Sequence, residues 1–94
     1  MSRRVIIKID RKQIGWRKIA NTTVILNKVT RSKYILNDTA VTVWDHIVES
    51  TSVRDAMDKI SREFAVSKEK VAADVDFFLR NLEGENIISL EMEE

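Results

Sequence analysis

The side chains that most often perform chemistry in proteins are scarce in this sequence. The chain has one histidine, His46, and no cysteine. Without cysteine there are no disulfides, thiol nucleophiles, iron–sulfur clusters or thiolate zinc sites, and one histidine cannot form a multi-histidine metal site. His46 lies beside Asp45, but neither a nucleophile motif nor a phosphate-binding loop accompanies it. We therefore expect no catalytic residues, no metal site, no cofactor and no enzymatic activity.

The length and composition are those of one globular domain. The chain has 94 residues, of which 44% are hydrophobic and 33% are charged, a balance that supports one modest core. No apolar run approaches the roughly 20 residues that a membrane span needs, and the apolar residues 5–7 are too few for a signal peptide. We expect a cytoplasmic protein with no membrane partner and a single domain over residues 1–94. Residues 1–12 would be flexible or form a pairing strand, and residues 91–94 a frayed tail.

Charge divides the chain into two halves. Residues 1–47 carry ten lysines and arginines against three acidic residues, a net charge of +7. Residues 48–94 carry six basic and twelve acidic residues, a net charge of −6. The two halves can attract each other within the fold, or they can present separate surfaces to partners.

The hydrophobic period changes once, near Asn37. The residues before it are rich in β-branched side chains and predict two or three antiparallel strands. These segments are residues 5–9, 16–19, 22–27 and 33–36. Residues 28–32 are short and polar enough for a hairpin loop, although they lack the usual glycine.

Three amphipathic helices follow Asn37, because apolar residues recur there at helical spacing. Asn37, Ser52 and Ser67 are suited to cap their first turns, and Gly84 to stop the third helix. The predicted stripes are Ala40, Val43, Trp44, Ile47 and Val48; Val53, Ala56, Met57, Ile60 and Phe64; and Val71, Val75, Phe78, Leu79 and Leu82. Residues 87–90 add a short strand or pack as a tail. The predicted fold is a winged-helix-like α+β domain.

One aromatic residue of the third helix does not fit its stripe. Phe77 lies about 140° around the helix from the centre of the stripe, at roughly 100° per residue. Lys70, Asp74 and Asn81 share its flank. A large apolar side chain in that position needs either a satellite pocket or a binding partner.

The motifs of the chain, taken in order, resemble those of the PqqD family over about residues 16–90. They include a Leu-Asn-acid-Thr-Ala segment leading into a helix with Val-Trp, and a third helix with Asp-Val followed by Phe-Leu. The segments that carry the resemblance are residues 34–40, 43–47, 52–55, 64–67 and 71–82. Where the family has a Gly-Leu pair after that helix, this chain has Asn86 and Ile87, and asparagine also adopts the left-handed conformation.

The resemblance implies a non-catalytic peptide chaperone, also called a RiPP recognition element. Such domains hold the leader region of a ribosomally synthesised precursor peptide and present it to a modifying enzyme. The enzyme is a radical-SAM enzyme or a leader protease and cyclase, in the pathways to the quinone cofactor PQQ, lasso peptides and other modified peptides. In this family the leader adds a β-strand to the third strand, beside the third helix.

Carried onto this sequence, the resemblance predicts a peptide-binding site on one strand and one helix. The predicted residues are Arg31, Ser32, Lys33, Tyr34, Ile35, Leu36, Lys70, Asp74, Phe77 and Asn81. The alternative for Phe77 is packing against a strand or the N-terminal segment. The leader is expected to carry acidic residues near Arg31 and Lys33; the alternative is that these cations are ordinarily solvated.

Two other functions compete with peptide binding. A DNA-binding winged helix needs a basic recognition helix, but residues 68–85 hold three basic and five acidic residues, a net charge of −2, so nucleic acid is not expected as a partner. A dimerisation module would pair residues 5–9 with a second chain, and such a homodimer is compatible with peptide binding.

Overall fold

The protein combines antiparallel strands with three helices in a computed structural model that describes residues 4–93. In chain order the elements are β1 (Arg4–Lys8), β2 (Ile14–Ile19), β3 (Thr22–Asn27), β4 (Lys33–Asn37), α1 (Thr39–Glu49), α2 (Val53–Phe64), α3 (Lys68–Gly84) and β5 (Ser89–Glu93). The α+β class and the order of strands before three helices are confirmed. Four strands precede α1 instead of the predicted two or three, because residues 4–8 form a strand by pairing with the distant β5. The C-terminal strand is one of the two alternatives left open for residues 87–90, and the winged-helix label stays a prediction.

β2, β3 and β4 form an antiparallel sheet in which β3 is central. Side chains alternate across it, so Ile25 and Leu36 are buried on the face toward the helices. Ile35 lies on the other face and is 61% exposed. The sheet therefore covers the core with one face and leaves β4 as an edge strand.

The loop between β3 and β4 folds without glycine because Asn27 organises it. The side-chain Oδ1 of Asn27 accepts hydrogen bonds from the backbone N–H groups of Val29 (3.0 Å) and Thr30 (3.2 Å). Arg31 has a φ of 64° and donates its N–H to the Asn27 carbonyl at 2.7 Å. An asparagine side chain that bonds to its own loop thus supplies what glycine usually provides.

β1 and β5 form a separate two-stranded sheet, with Arg4 opposite Glu93 and Lys8 opposite Ser89. Lys8 Nζ lies 3.0 Å from a carboxylate oxygen of Glu91. On its other side β1 is bonded to the chain before α2, because the Ile7 N–H donates to the Thr51 carbonyl at 3.0 Å.

This second sheet bears on two expectations. Residues 91–93 lie in β5, so the frayed tail predicted for 91–94 is wrong for them, because pairing with β1 satisfies their backbone; Glu94 lies outside the described residues. Residues 4–8 pair with β5 along one edge, and on the other edge Ile6 forms a bridge with Ser52 and Ile7 bonds to Thr51. This strand thus pairs within the chain, and its pairing with a second chain stays a prediction. Residues 1–3 of the predicted segment 1–12 also lie outside the described part.

Two of the three predicted helix caps are confirmed. The Ser52 and Ser67 side chains accept hydrogen bonds from the backbone N–H groups three residues later, at 3.1 and 3.4 Å. The prediction for Asn37 is wrong, because its backbone completes β4 opposite Thr22 and its side-chain oxygen accepts from Thr22 Oγ1 at 3.2 Å. Asp38, with a φ of 53°, precedes α1 without a side-chain cap.

The end of α3 depends on Asn86 rather than on Gly84. Gly84 is the last helical residue, and Asn86 has a φ of 59°. Its N–H donates to the Glu83 carbonyl at 3.0 Å, and the Ile87 N–H donates to the Leu82 carbonyl at 2.9 Å. This pair of bonds is a Schellman motif with asparagine in the left-handed position. It turns the chain so that Ile87 joins Leu82 in the core.

The core lies between the sheet and the helical stripes. Trp44 is fully buried, and its ring meets the Trp16 ring edge-to-face with centroids 5.4 Å apart. Two stripe residues of α1, Ala40 and Val43, are only partly buried, whereas Val41, outside the predicted stripe, is buried. The first turns of α1 therefore leave part of their apolar surface accessible.

Candidate functional site

The outer edge of β4 presents backbone groups that the sheet does not use. The Asn27 N–H donates to the Ser32 carbonyl at 2.9 Å, which fixes the phase of the ladder between β3 and β4. Hydrogen bonds in an antiparallel pair alternate, so Tyr34 and Leu36 bond toward β3. Lys33 and Ile35 therefore direct their N–H and C=O groups away from the sheet. No other strand within residues 4–93 pairs with this edge.

The side chains of β4 alternate between the two faces of the sheet. Leu36 is buried and Tyr34 half-buried on the side of the helices, whereas Lys33 and Ile35 are exposed on the outer face. Arg31 and Ser32 precede the strand in the exposed loop. All six predicted positions are thus continuous along one accessible edge.

An apolar pocket of about 360 Å³ opens among the three helices. It begins at Thr39, two residues after the end of β4, and continues along the first turns of α1. The lining consists of Thr39, Ala40, Val43, Ile60, Phe64, Val66, Lys70, Val71, Asp74, Val75 and Phe78. Its volume suits one or two apolar side chains of a partner.

The predicted helical residues divide between the pocket and its surroundings. Lys70 and Asp74 line the pocket, whereas Phe77 and Asn81 do not. Phe77 is 70% exposed, so it does not pack against a strand as the alternative supposed. The angular order on α3 puts it next to Lys70 and Asp74, on the flank that carries the pocket.

The aromatic residues of the pocket are ones that the sequence assigned to the core. Phe64 is 38% exposed in the last turn of α2, and Phe78 is half-buried at the margin of the α3 stripe. For Phe78 the sequence held one indication of a binding role. In the angular order around α3, Phe78 is the stripe residue nearest to Asp74, which is a predicted binding residue. For Phe64 the sequence held no such indication, because the exposure of its side chain depends on how α2 packs against the other elements.

An ion pair at the start of α3 lies outside the pocket lining. Lys68 Nζ lies 2.7 Å from Asp58 Oδ1 and connects the first turn of α3 to α2. The hydrogen bond from Lys68 lowers the pKa of the Asp58 carboxyl, and the charge of Lys68 acts in the same direction. Lys70 forms no ion pair within the described residues, so its ammonium group is available at the pocket.

The titratable groups near the helices include a surface pair between His46 and Glu63 and form no metal cluster in the part of the chain that is described. His46 Nε2 lies 3.1 Å from Glu63 Oε1, which joins α1 to α2 at the surface. Residues 4–93 contain no group of three or more His, Cys, Asp or Glu side chains arranged for a metal ion. None of their helices has the length and apolar character needed to traverse a membrane.

The fold and the site define a small α+β domain in which an open strand edge ends beside an apolar pocket. The family model of coenzyme PQQ synthesis protein D (PqqD) matches residues 22–88, which is 67 of the 94 residues. The chain belongs to the PqqD family. A comparison with curated proteins finds no significant match.

The fold is also similar to a solved structure, that of TbiB1 in complex with the TbiA(beta) leader peptide. The TM-score is 0.77, and the similarity covers 87% of this chain and 94% of that chain. The two sequences are 23% identical. At this identity the comparison establishes a shared fold.

Proposed function

We propose that this protein is a non-catalytic chaperone that binds the leader region of a ribosomally synthesised precursor peptide as an added β-strand. The observation that carries the proposal is the free edge of β4 next to the apolar pocket. Membership of the PqqD family supports it, and TbiB1, which shares the fold, was solved with a leader peptide.

The added strand would bond to the backbone of Lys33 and Ile35. Each offers one N–H and one C=O toward the edge, so a leader segment of about four residues can form about four backbone hydrogen bonds. Each such bond contributes a net of about 0.5–1.5 kcal/mol. The exposed Lys33 reduces pairing with unrelated strands, since a charged edge discourages aggregation.

The pocket would hold an apolar anchor of the leader. Alternate side chains of an added strand face the helices, on the side of Tyr34 and Leu36. Fully burying one large apolar side chain contributes about 1.5–3 kcal/mol. Lys70 and Asp74 would contact the leader at the pocket, and Phe77 and Asn81 would extend the wall along α3.

The chain would act by presentation and not by chemistry of its own. A domain of 94 residues that offers the open edge of β4 can hold a leader while a second protein modifies the rest of the precursor. The modifying enzyme is a radical-SAM enzyme or a leader protease and cyclase. Ribosomes synthesise the precursor peptide in the cytoplasm. The protein would therefore bind the leader there.

The direct test is titration of the ¹⁵N-labelled protein with a synthetic peptide. The probe is the N-terminal segment of any short reading frame that is found next to the gene of this protein. We expect saturable amide shifts in residues 33–37 and 70–81. Shifts confined to other elements, or none at millimolar peptide, would contradict the proposal.

A proline scan tests the mode of binding. Ile35→Pro removes an N–H that points away from β3, so the sheet keeps its ladder while the leader loses a bond. We expect the affinity to fall about tenfold or more, since the proline ring also obstructs close approach of a strand. Lys18→Pro is the matched control, because the Lys18 N–H points outward from β2 at the opposite edge. Equal effects of the two variants would show that the leader does not use β4.

A further inference from the structure

We propose that Lys33 and Ile35 select the leader by sequence, through an acidic residue and a branched apolar residue that are two positions apart in it. This inference rests on the proposed function. Both leader side chains would lie on the outer face of the sheet, away from the pocket. The outer face would thus recognise a second set of leader residues in addition to the apolar anchor.

The pairing of the strands defines this outer face. Lys33 is opposite Leu26, and Ile35 is opposite Val24. Val24 is in turn opposite Arg17 on β2. Side chains that are directly opposite each other share a face, so these five form two adjacent rows across the sheet. A strand added at β4 would extend both rows by one residue.

The exposed side chain of Ile35 favours an apolar side chain beside it on the added strand. Ile35 is 61% exposed, whereas Val24 beside it is half-buried. A branched side chain on the added strand would cover the free side of Ile35, since branched residues pack well across strands. A shift of the leader by one residue would turn that side chain toward the helices, so this contact also fixes the register.

The positive charge of Lys33 favours a carboxylate beside it on the added strand. Lys33 forms no ion pair within residues 4–93, and residues 14–37 contain five basic and no acidic residues. Lys28 lies at the other end of the row of Lys33, because its Cε is 3.3 Å from where a Cβ of Gly15 would be and Gly15 is opposite Leu26 on β2, so Lys33 is the cation nearest to the added strand. An aspartate or glutamate next to Lys33 would be attracted, whereas a lysine or arginine would be repelled.

Selection from a library of random 12-residue peptides displayed on phage tests this inference without knowledge of the natural leader. We expect binders of the wild-type protein to share an acidic residue two positions from Val or Ile. Binders of Lys33→Glu should carry Lys or Arg at the acidic position. Lys12→Glu, which makes the same charge change at an exposed residue outside the sheets, should retain the wild-type preference.

Affinities of individual peptides complete the test. An acidic peptide should bind Lys33→Glu about three- to tenfold more weakly than the wild type, as expected for reversing one cross-strand charge pair. Changing the acid of that peptide to lysine should restore binding to Lys33→Glu and weaken it for the wild type. The order of the acidic and apolar residues then reports whether the added strand is parallel or antiparallel to β4.

The outcomes separate this inference from the proposed function. If selected peptides shift the amides of residues 33–37 but show no acidic preference and no switch with Lys33→Glu, sequence selection is overturned and strand addition stands. If no peptide binds, or if the shifts avoid residues 33–37, both are overturned.

Discussion

At the scale of single residues, the aromatic side chains divide between stability and binding. Trp44 is fully buried and meets Trp16 edge-to-face, so it contributes to the core. Phe77 is 70% exposed and therefore contributes little to folding. An exposed phenylalanine next to the pocket lining is better explained by a partner than by packing.

Phe77→Ala should weaken leader binding without destabilising the protein. We expect an unfolding free energy within about 0.5 kcal/mol of the wild type, as for other exposed positions, and a leader affinity lower by about tenfold from lost apolar burial. Met92→Ala is the control, because Met92 is 59% exposed on β5. Titration calorimetry and chemical denaturation measure the two quantities, and unchanged affinity would remove Phe77 from the site.

Ala40→Leu should block the pocket. Ala40 lines it from the first turn of α1 and is only partly buried, so a leucine there would occupy the space proposed for the apolar anchor. We expect leader affinity to fall at least about tenfold, the loss of roughly 1.5 kcal/mol of apolar burial. Glu83→Leu introduces a leucine at an exposed position of α3 that is about 120° around the helix from Phe77 and outside the pocket lining, and this variant should bind normally. Normal binding by Ala40→Leu as well would show that the anchor lies elsewhere.

At the scale of the elements, helix ends and strand edges decide what the chain can bind. The Schellman motif at Asn86 ends α3 and returns the chain to the core at Ile87. The loop organised by Asn27 determines which backbone groups of β4 bond to β3. It therefore also determines which N–H and C=O groups of β4 face outward. The site therefore depends on two turns, and neither has a glycine in the left-handed conformation.

The stability of Asn86 variants should depend on how easily the new residue adopts the left-handed backbone conformation. Asn86→Ala should lower the free energy of unfolding by about 1 kcal/mol, since alanine is strained at positive φ, whereas Asn86→Gly should leave it unchanged or raise it. Thermal or chemical denaturation of the two variants checks this. If alanine and glycine are equally stable, the left-handed turn is not needed in solution.

At the scale of the whole molecule, two sheets of different character are joined by the helices. β3 is bonded on both sides, whereas β5 is bonded only to β1. Basic residues dominate the three-stranded sheet and acidic residues dominate α3 and β5. The opposite charges of the two halves thus belong to separate surfaces and are linked by few ion pairs, such as that of Lys8 with Glu91.

Hydrogen exchange should reveal this difference between the sheets. The amides of β3 should exchange only on global unfolding, because β3 is central and its inner side chains are buried. The amides of β1 and β5 should exchange through local opening, since a two-stranded sheet is marginal by itself. Equal protection of both sheets in native-state exchange would contradict this prediction.

Salt should weaken leader binding if the basic sheet attracts acidic residues. We expect the affinity to fall several-fold between low ionic strength and about 0.5 M salt, because exposed charge pairs are screened. Lys33→Gln should show a smaller dependence, as it lacks one of the exposed charges. Binding that is insensitive to salt would favour the alternative, in which Arg31 and Lys33 are ordinarily solvated.

The sequence alone determined the three helices and the segments that form the three-stranded sheet, because the spacing of apolar residues and local signals such as Ser52 and Ser67 act within a few neighbouring residues. It also predicted that Phe77 lies outside the helical stripe. Only the tertiary structure decided that β1 pairs with β5, that Asn37 ends a strand, and that Phe64 and Phe78 line a pocket. These features depend on contacts between residues far apart in the chain, and such contacts override local preferences when they bury surface or satisfy backbone groups.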